Sequence, residues 1–79
     1  MAGNPVRTTR FRIWFQRDVK PTELAPAVWT GVKLMEKPTA FGIDALNVTV
    51  AGDGSDLRRL VVERQDVFAA LLELRPEDE

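Results

Sequence analysis

Cysteine and histidine are both absent from the 79 residues, and serine occurs once, at Ser55. Without cysteine no disulfide can supplement the core. Without histidine or cysteine most metal-ligand sets and the usual general base are gone. A lone serine with no imidazole or thiol makes no ordinary catalytic triad. No apolar run approaches the ~20 residues that a membrane-spanning helix needs. The opening stretch MAGNPVRTTR has no apolar segment of the kind a secretory signal carries. These gaps point to a non-enzymatic, cytoplasmic protein with no metal, cofactor or membrane partner. A chain of this length fits one small domain, residues 1–79, burying only about 60–65% of its unfolded surface.

Charge is nearly balanced overall, at −1, but unevenly placed. Residues 1–20 hold Arg7, Arg10, Arg12, Arg17 and Lys20 against Asp18, a local +4. Residues 63–79 hold Glu63, Asp66, Glu73, Glu77, Asp78 and Glu79 against Arg64 and Arg75, a local −4. Such polarity orients a molecule on a partner or on a second copy of itself. Arginine outnumbers lysine eight to three, which suits stacked and bidentate contacts.

Residues 7–17 alternate with period two and are rich in aromatic and β-branched side chains, so they predict a strand. Val28, Gly31, Val32 and Met35 recur at helical spacing after Pro26, with Leu24 and Ala27 extending the stripe, and Lys37-Pro38 ends it. TAFGIDA reads as a loop, with Phe41 and Ile43 apolar enough to tuck beneath it. Leu46, Val48 and Val50 alternate with Asn47 and Thr49 as a second strand. AGDGSD is a turn; it lacks the ligand pattern of a calcium loop and the lysine of a phosphate loop.

Two readings remain open for the rest. In one, Leu57 to Arg64 is a third strand pairing back across the turn. A helix then begins at Asp66, with Val67, Phe68, Leu71 and Leu74 buried, and Pro76 stops it. In the other, one long helix spans 56–74. VTV and LVV flank a loop of hairpin length, Arg64 interrupts the stripe of a single helix, and Val61-Val62 disfavours helix, so the hairpin is preferred. The expected fold is an α+β two-layer sandwich in the order β-α-β-β-α. It has a three-stranded antiparallel or mixed sheet with both helices on one face; the alternative is β-α-β-α. Residues 1–6 and 76–79 are expected to be mobile. In topology alone, the preferred order resembles a split βαβ, ferredoxin-like unit lacking its last strand. That arrangement implies the third strand in the middle and the first at an open edge.

With Phe11, Ile13 and Phe15 facing the helices, the opposite sheet face carries Arg10, Arg12, Trp14 and Gln16. Arg59 and Val61 of the expected third strand join it. Trp and Arg are the residues most enriched at binding hot spots. The sequence thus proposes a protein-binding or regulatory module contacting another protein or itself through these six residues. A phage or accessory protein fits the size. A homodimer would form through the edge of the first strand. The alternative is a nucleic-acid platform built from the same arginines and Trp14, though the overall charge is slightly negative.

Overall fold

The computed structural model describes residues 7–75. The expected mobility of residues 1–6 and 76–79 therefore falls outside the described residues. The chain runs β1 (Thr8–Phe15), two 3-10 turns (Pro21–Glu23 and Pro26–Trp29), β2 (Thr39–Phe41), β3 (Ala45–Ala51), α1 (Ser55–Glu63) and β4 (Phe68–Glu73). The strands form one sheet in the order β2-β3-β1-β4, every neighbouring pair antiparallel. The expected three-stranded sheet under two helices is thus corrected to a four-stranded sheet with one helix. The long-helix alternative over 56–74 falls with it.

β1 forms because its alternation gives it one face for a core. Phe11, Ile13 and Phe15 are buried, and across the ladder they meet Val48, Leu46 and the end of β3. On its other side β1 pairs with β4, setting Ile13 opposite Leu71 and Phe15 opposite Phe68 across a bulge. β1 therefore lies in the interior of the sheet, and the expectation that it forms an open edge is overturned. β3 and β4 both oppose β1, so they run the same way. The α1 crossover joins them over β1, a split βαβ unit placed later in the chain than the sequence suggested.

Four local departures from the sequence expectation have distinct causes. The stripe over residues 24–35 does not form an α-helix. Pro21 and Pro26 each start a separate 3-10 turn, and Gly31, at φ +84°, ends the second. A proline cannot continue a helix beyond its first turn because it lacks the donor and clashes with the preceding carbonyl. The segment still covers the sheet, with Leu24, Val28, Trp29, Val32 and Leu34 packed on the core. Residues 57–63 are helical, with Leu57 and Leu60 buried and Val61 packed inward. Arg64 falls at the C-cap, so it interrupts no stripe, and two β-branched residues cost a helix only a few tenths of a kcal/mol each. Residues 68–73 (FAALLE) have good helix formers but are a strand, because the open side of β1 supplies a full ladder. Phe41 and Ile43 are not tucked away: Phe41 lies in β2 and Ile43 is 95% exposed.

The two layers lock together at Phe11. Its ring is fully buried against Gly54, the residue before α1, where the backbone sits at φ +84°. A Cβ built on Gly54 would lie 2.3 Å from the tip of that ring. Above the ring, the Arg58 guanidinium stands 5.1 Å from its centroid and reaches Glu73 of β4 at 2.6 Å. Both partners of that ion pair are half exposed, so the pair itself contributes no more than about 1 kcal/mol. Beside it, the Thr9 hydroxyl donates to the Gly52 carbonyl at 2.7 Å, tying the turn before α1 to the start of β1.

Gly54→Ala should lower stability in urea denaturation by about 3 kcal/mol or more, since it adds a strained positive φ to a clash with an immovable ring. Gly31→Ala, with open space around it, should cost only the strain of its φ, about 1–2 kcal/mol.

Two turn carboxylates make stability pH-dependent. Asp53 is held below its ordinary value of 3.8 by the Ser55 backbone N–H first and the Ser55 hydroxyl second. Asp66 is lowered by its two hydrogen bonds from Arg64, at 3.0 and 3.1 Å. With both folded-state pKa values depressed, their contribution is present above the unfolded value of about 4 and is lost as pH falls below it. The thermal midpoint should drop between about pH 5 and pH 2, and Asp66→Asn should shallow that drop while lowering the midpoint at neutral pH.

Candidate functional site

The face of the sheet opposite α1 carries the candidate site. Alternation puts Arg10, Arg12 and Trp14 there from β1, with Ala45, Asn47 and Thr49 from β3. The ladders extend this to the other strands in rows. One row runs Phe41, Ala45, Trp14, Ala70 from β2 to β4; the next runs Thr39, Asn47, Arg12, Leu72. Trp14 is thus flanked on both sides by alanine, the smallest side chain that keeps strand geometry, so the indole has room to spread across its neighbours. Ala45 is buried and Trp14 partly buried, while Phe41 is 43% and Leu72 45% exposed. α1 and the 3-10 segment both pack on the other face, and none of the described elements crosses this one.

Arg12 is positioned by two neighbours. Its Nε donates to Asn47 Oδ1 at 2.9 Å, and its guanidinium lies 3.5 Å from the centroid of the Phe41 ring. The planar group is held between the aromatic of β2 and the amide of β3. Glu36 sits at the margin, accepting a hydrogen bond from the Thr49 hydroxyl at 2.9 Å. The face therefore combines an apolar row with arginines beside it.

The six residues singled out from sequence divide. Arg10, Arg12 and Trp14 come together on this face. Gln16 lies just past the end of β1, and its side-chain amide donates to the carbonyls of Gln65 at 2.9 Å and Phe68 at 3.4 Å, bracing the turn before β4. Arg59 and Val61 are on α1, in the opposite layer. Val61 packs toward the core, and Arg59 lies beside Thr30, Gly31 and Glu63. Their assignment to the open face followed from reading 57–64 as a strand. Phe41, Ala70 and Leu72 were missed. The signal for Phe41 was an exposed aromatic three residues after Pro38, indistinguishable by composition from loop filling. Ala70 and Leu72 sit in a stretch whose propensity is helical.

A second concavity, about 550 Å³, opens on the other layer between the 3-10 turns and β2–β3. Pro21, Leu24, Trp29, Leu34 and Leu46 line it, with Lys37 at its margin. Among the described residues no group of carboxylates could hold a metal ion, and no helix is long and apolar enough to cross a membrane. No family model, curated protein or solved structure matches the chain.

Removing the Phe41 ring should cost little stability but release Arg12. Phe41→Ala and Asn47→Ala, combined in a double-mutant cycle with Arg12→Ala, should each show coupling of about 0.5–1 kcal/mol in urea denaturation. Coupling indistinguishable from zero for both would mean that Arg12 is not held.

Proposed function

We propose that this chain is a non-enzymatic binding module that docks another protein on its open sheet face. The observation that carries the reading is the row Phe41, Ala45, Trp14, Ala70, an aromatic-anchored strip with no described element over it. Trp supplies large, rigid contact area at low entropic cost, and Arg beside it sets orientation and on-rate. Arg10 and Arg12 favour a partner surface bearing carboxylates. Ala70, exposed beside Trp14, favours a side chain inserted alongside the indole on the β4 side.

A nucleic acid would use the same arginines with Trp14 and Phe41 as stacking surfaces. The apolar surroundings of Trp14 and the small number of cations argue for protein instead. Phosphate-driven affinity grows with each cation that displaces counterions, and β1 brings only two to this face.

Affinity capture from the native host, comparing wild type with Trp14→Ala and Arg12→Ala, tests the reading once circular dichroism shows the variants folded. A partner held by wild type and weakened at least tenfold by Trp14→Ala is expected, the loss typical of a hot-spot aromatic. The same proteins captured equally by all three chains would overturn the proposal. So would tight, steeply salt-dependent binding of a labelled single-stranded oligonucleotide that both substitutions abolish, which would assign the face to nucleic acid.

A further inference from the structure

The concavity between the 3-10 turns and β2–β3 is built on the covered face of the sheet. Ala40 of β2 pairs with Leu46 of β3, and both line its floor. Leu24, Trp29 and Leu34 line its walls. All three pack on the core yet remain only partly buried, because part of each side chain borders this space. The volume, about 550 Å³, falls within the roughly 300–1,000 Å³ of ordinary small-ligand sites.

Local chemistry keeps the space open and its walls fixed. Alanine at position 40 leaves empty what a larger side chain there would fill. Pro21 and Pro26 open the two 3-10 turns with φ locked by their rings, and Pro38 does the same at the approach to β2. The Trp29 ring is anchored against Phe68, with centroids 5.8 Å apart. A preformed site of this kind costs its ligand little ordering on binding. The polar lining is sparse and its charge is of one sign. Lys37 is the only charged side chain lining the space, and its ammonium has no ion pair or hydrogen bond among the described residues. The neighbouring carboxylate, Glu36, does not line the space; it accepts from the Thr49 hydroxyl on the open face.

We infer that this concavity binds a small organic acid with one carboxylate and a hydrocarbon body. The body lies over Trp29, Leu34 and Leu46, and the carboxylate turns to Lys37 at the margin. A cationic ligand finds no counter-charge in the lining. A neutral one leaves the ammonium unpaired. A doubly charged phosphate meets only one cation. A lysine ammonium is a compact point charge, so it pairs with a single carboxylate without the paired geometry that arginine imposes. The site lies in the layer opposite Trp14 and does not depend on what the open face binds.

Decanoate is the probe, titrated into the full chain at neutral pH below its micelle-forming concentration and followed by proton–nitrogen NMR. The chain has two tryptophans, so the two indole N–H signals report the two layers separately. The Trp29 signal should move and saturate with one equivalent bound, while the Trp14 signal stays in place. Decanol should bind about fivefold more weakly and decylammonium more weakly still, the difference an exposed ion pair supplies. Lys37→Gln, at an exposed position, should weaken decanoate about fivefold and leave decanol unchanged. Ala40→Leu should fill the space and weaken both at least tenfold with an unchanged circular dichroism spectrum. No saturable shift up to millimolar decanoate overturns the inference. So does decanol bound as tightly as decanoate, or decanoate binding indifferent to Lys37→Gln. Binding retained in folded Ala40→Leu, or a Trp14 signal that moves as far as that of Trp29, also overturns it and moves the ligand elsewhere.

Discussion

The ring of Phe11 fills the space that a side chain at position 54 would occupy, and the two layers of the molecule meet there. The contact requires a residue with no Cβ at the entrance to α1, and it requires the backbone to turn through a left-handed conformation at that point. Given both, the helix starts directly over β1 and runs across it, delivering the chain to the far side of the sheet as β4. A displaced helix start would not reach the far flank of β1. The Arg58 bridge to Glu73 then fastens the end of the crossover to its beginning.

Placing β1 in the interior makes its two faces unequal in purpose. One is sealed by α1 and the 3-10 segment around a core of Phe11, Ile13, Phe15, Val48 and Phe68. The other keeps a tryptophan between alanines and an arginine spread over a phenylalanine. In so small a domain the covering layer suffices for one face only, so the other side of the sheet keeps large side chains that no described element covers.

β1 and β3 were legible in the sequence because period-two alternation with β-branched and aromatic residues is a local signal that survives any packing. The same signal located Arg10, Arg12 and Trp14. The remainder was decided by contacts the sequence does not display. The spacing of Val28, Val32 and Met35 is helical, but the backbone turns left-handed at Gly31 and breaks the stripe in the middle. The choice between strand and helix in 57–74 was inverted. Val61 and Val62 have β-forming character yet lie on a helix whose burial needs only Leu57, Leu60 and Val61. Phe68 to Glu73 have helix-forming character yet complete the ladder on β1. Tertiary pairing outweighed propensity in both, and the inversion carried Arg59 and Val61 to the wrong layer and hid Ala70 and Leu72.

Of the four described strands, the first in the chain is also the one that needs both the third and the last as neighbours. Pairing of Phe11 with Val48 joins distant parts of the chain, and pairing with Glu73 more distant ones still. During translation, Phe11, Ile13 and Phe15 therefore wait without a complete shelter until β4 has left the ribosome. A topology so rich in long-range pairing folds slowly for its size. An unpaired apolar strand of this kind is an aggregation hazard, and Arg10 and Arg12, interleaved with its apolar residues, oppose that hazard by charge.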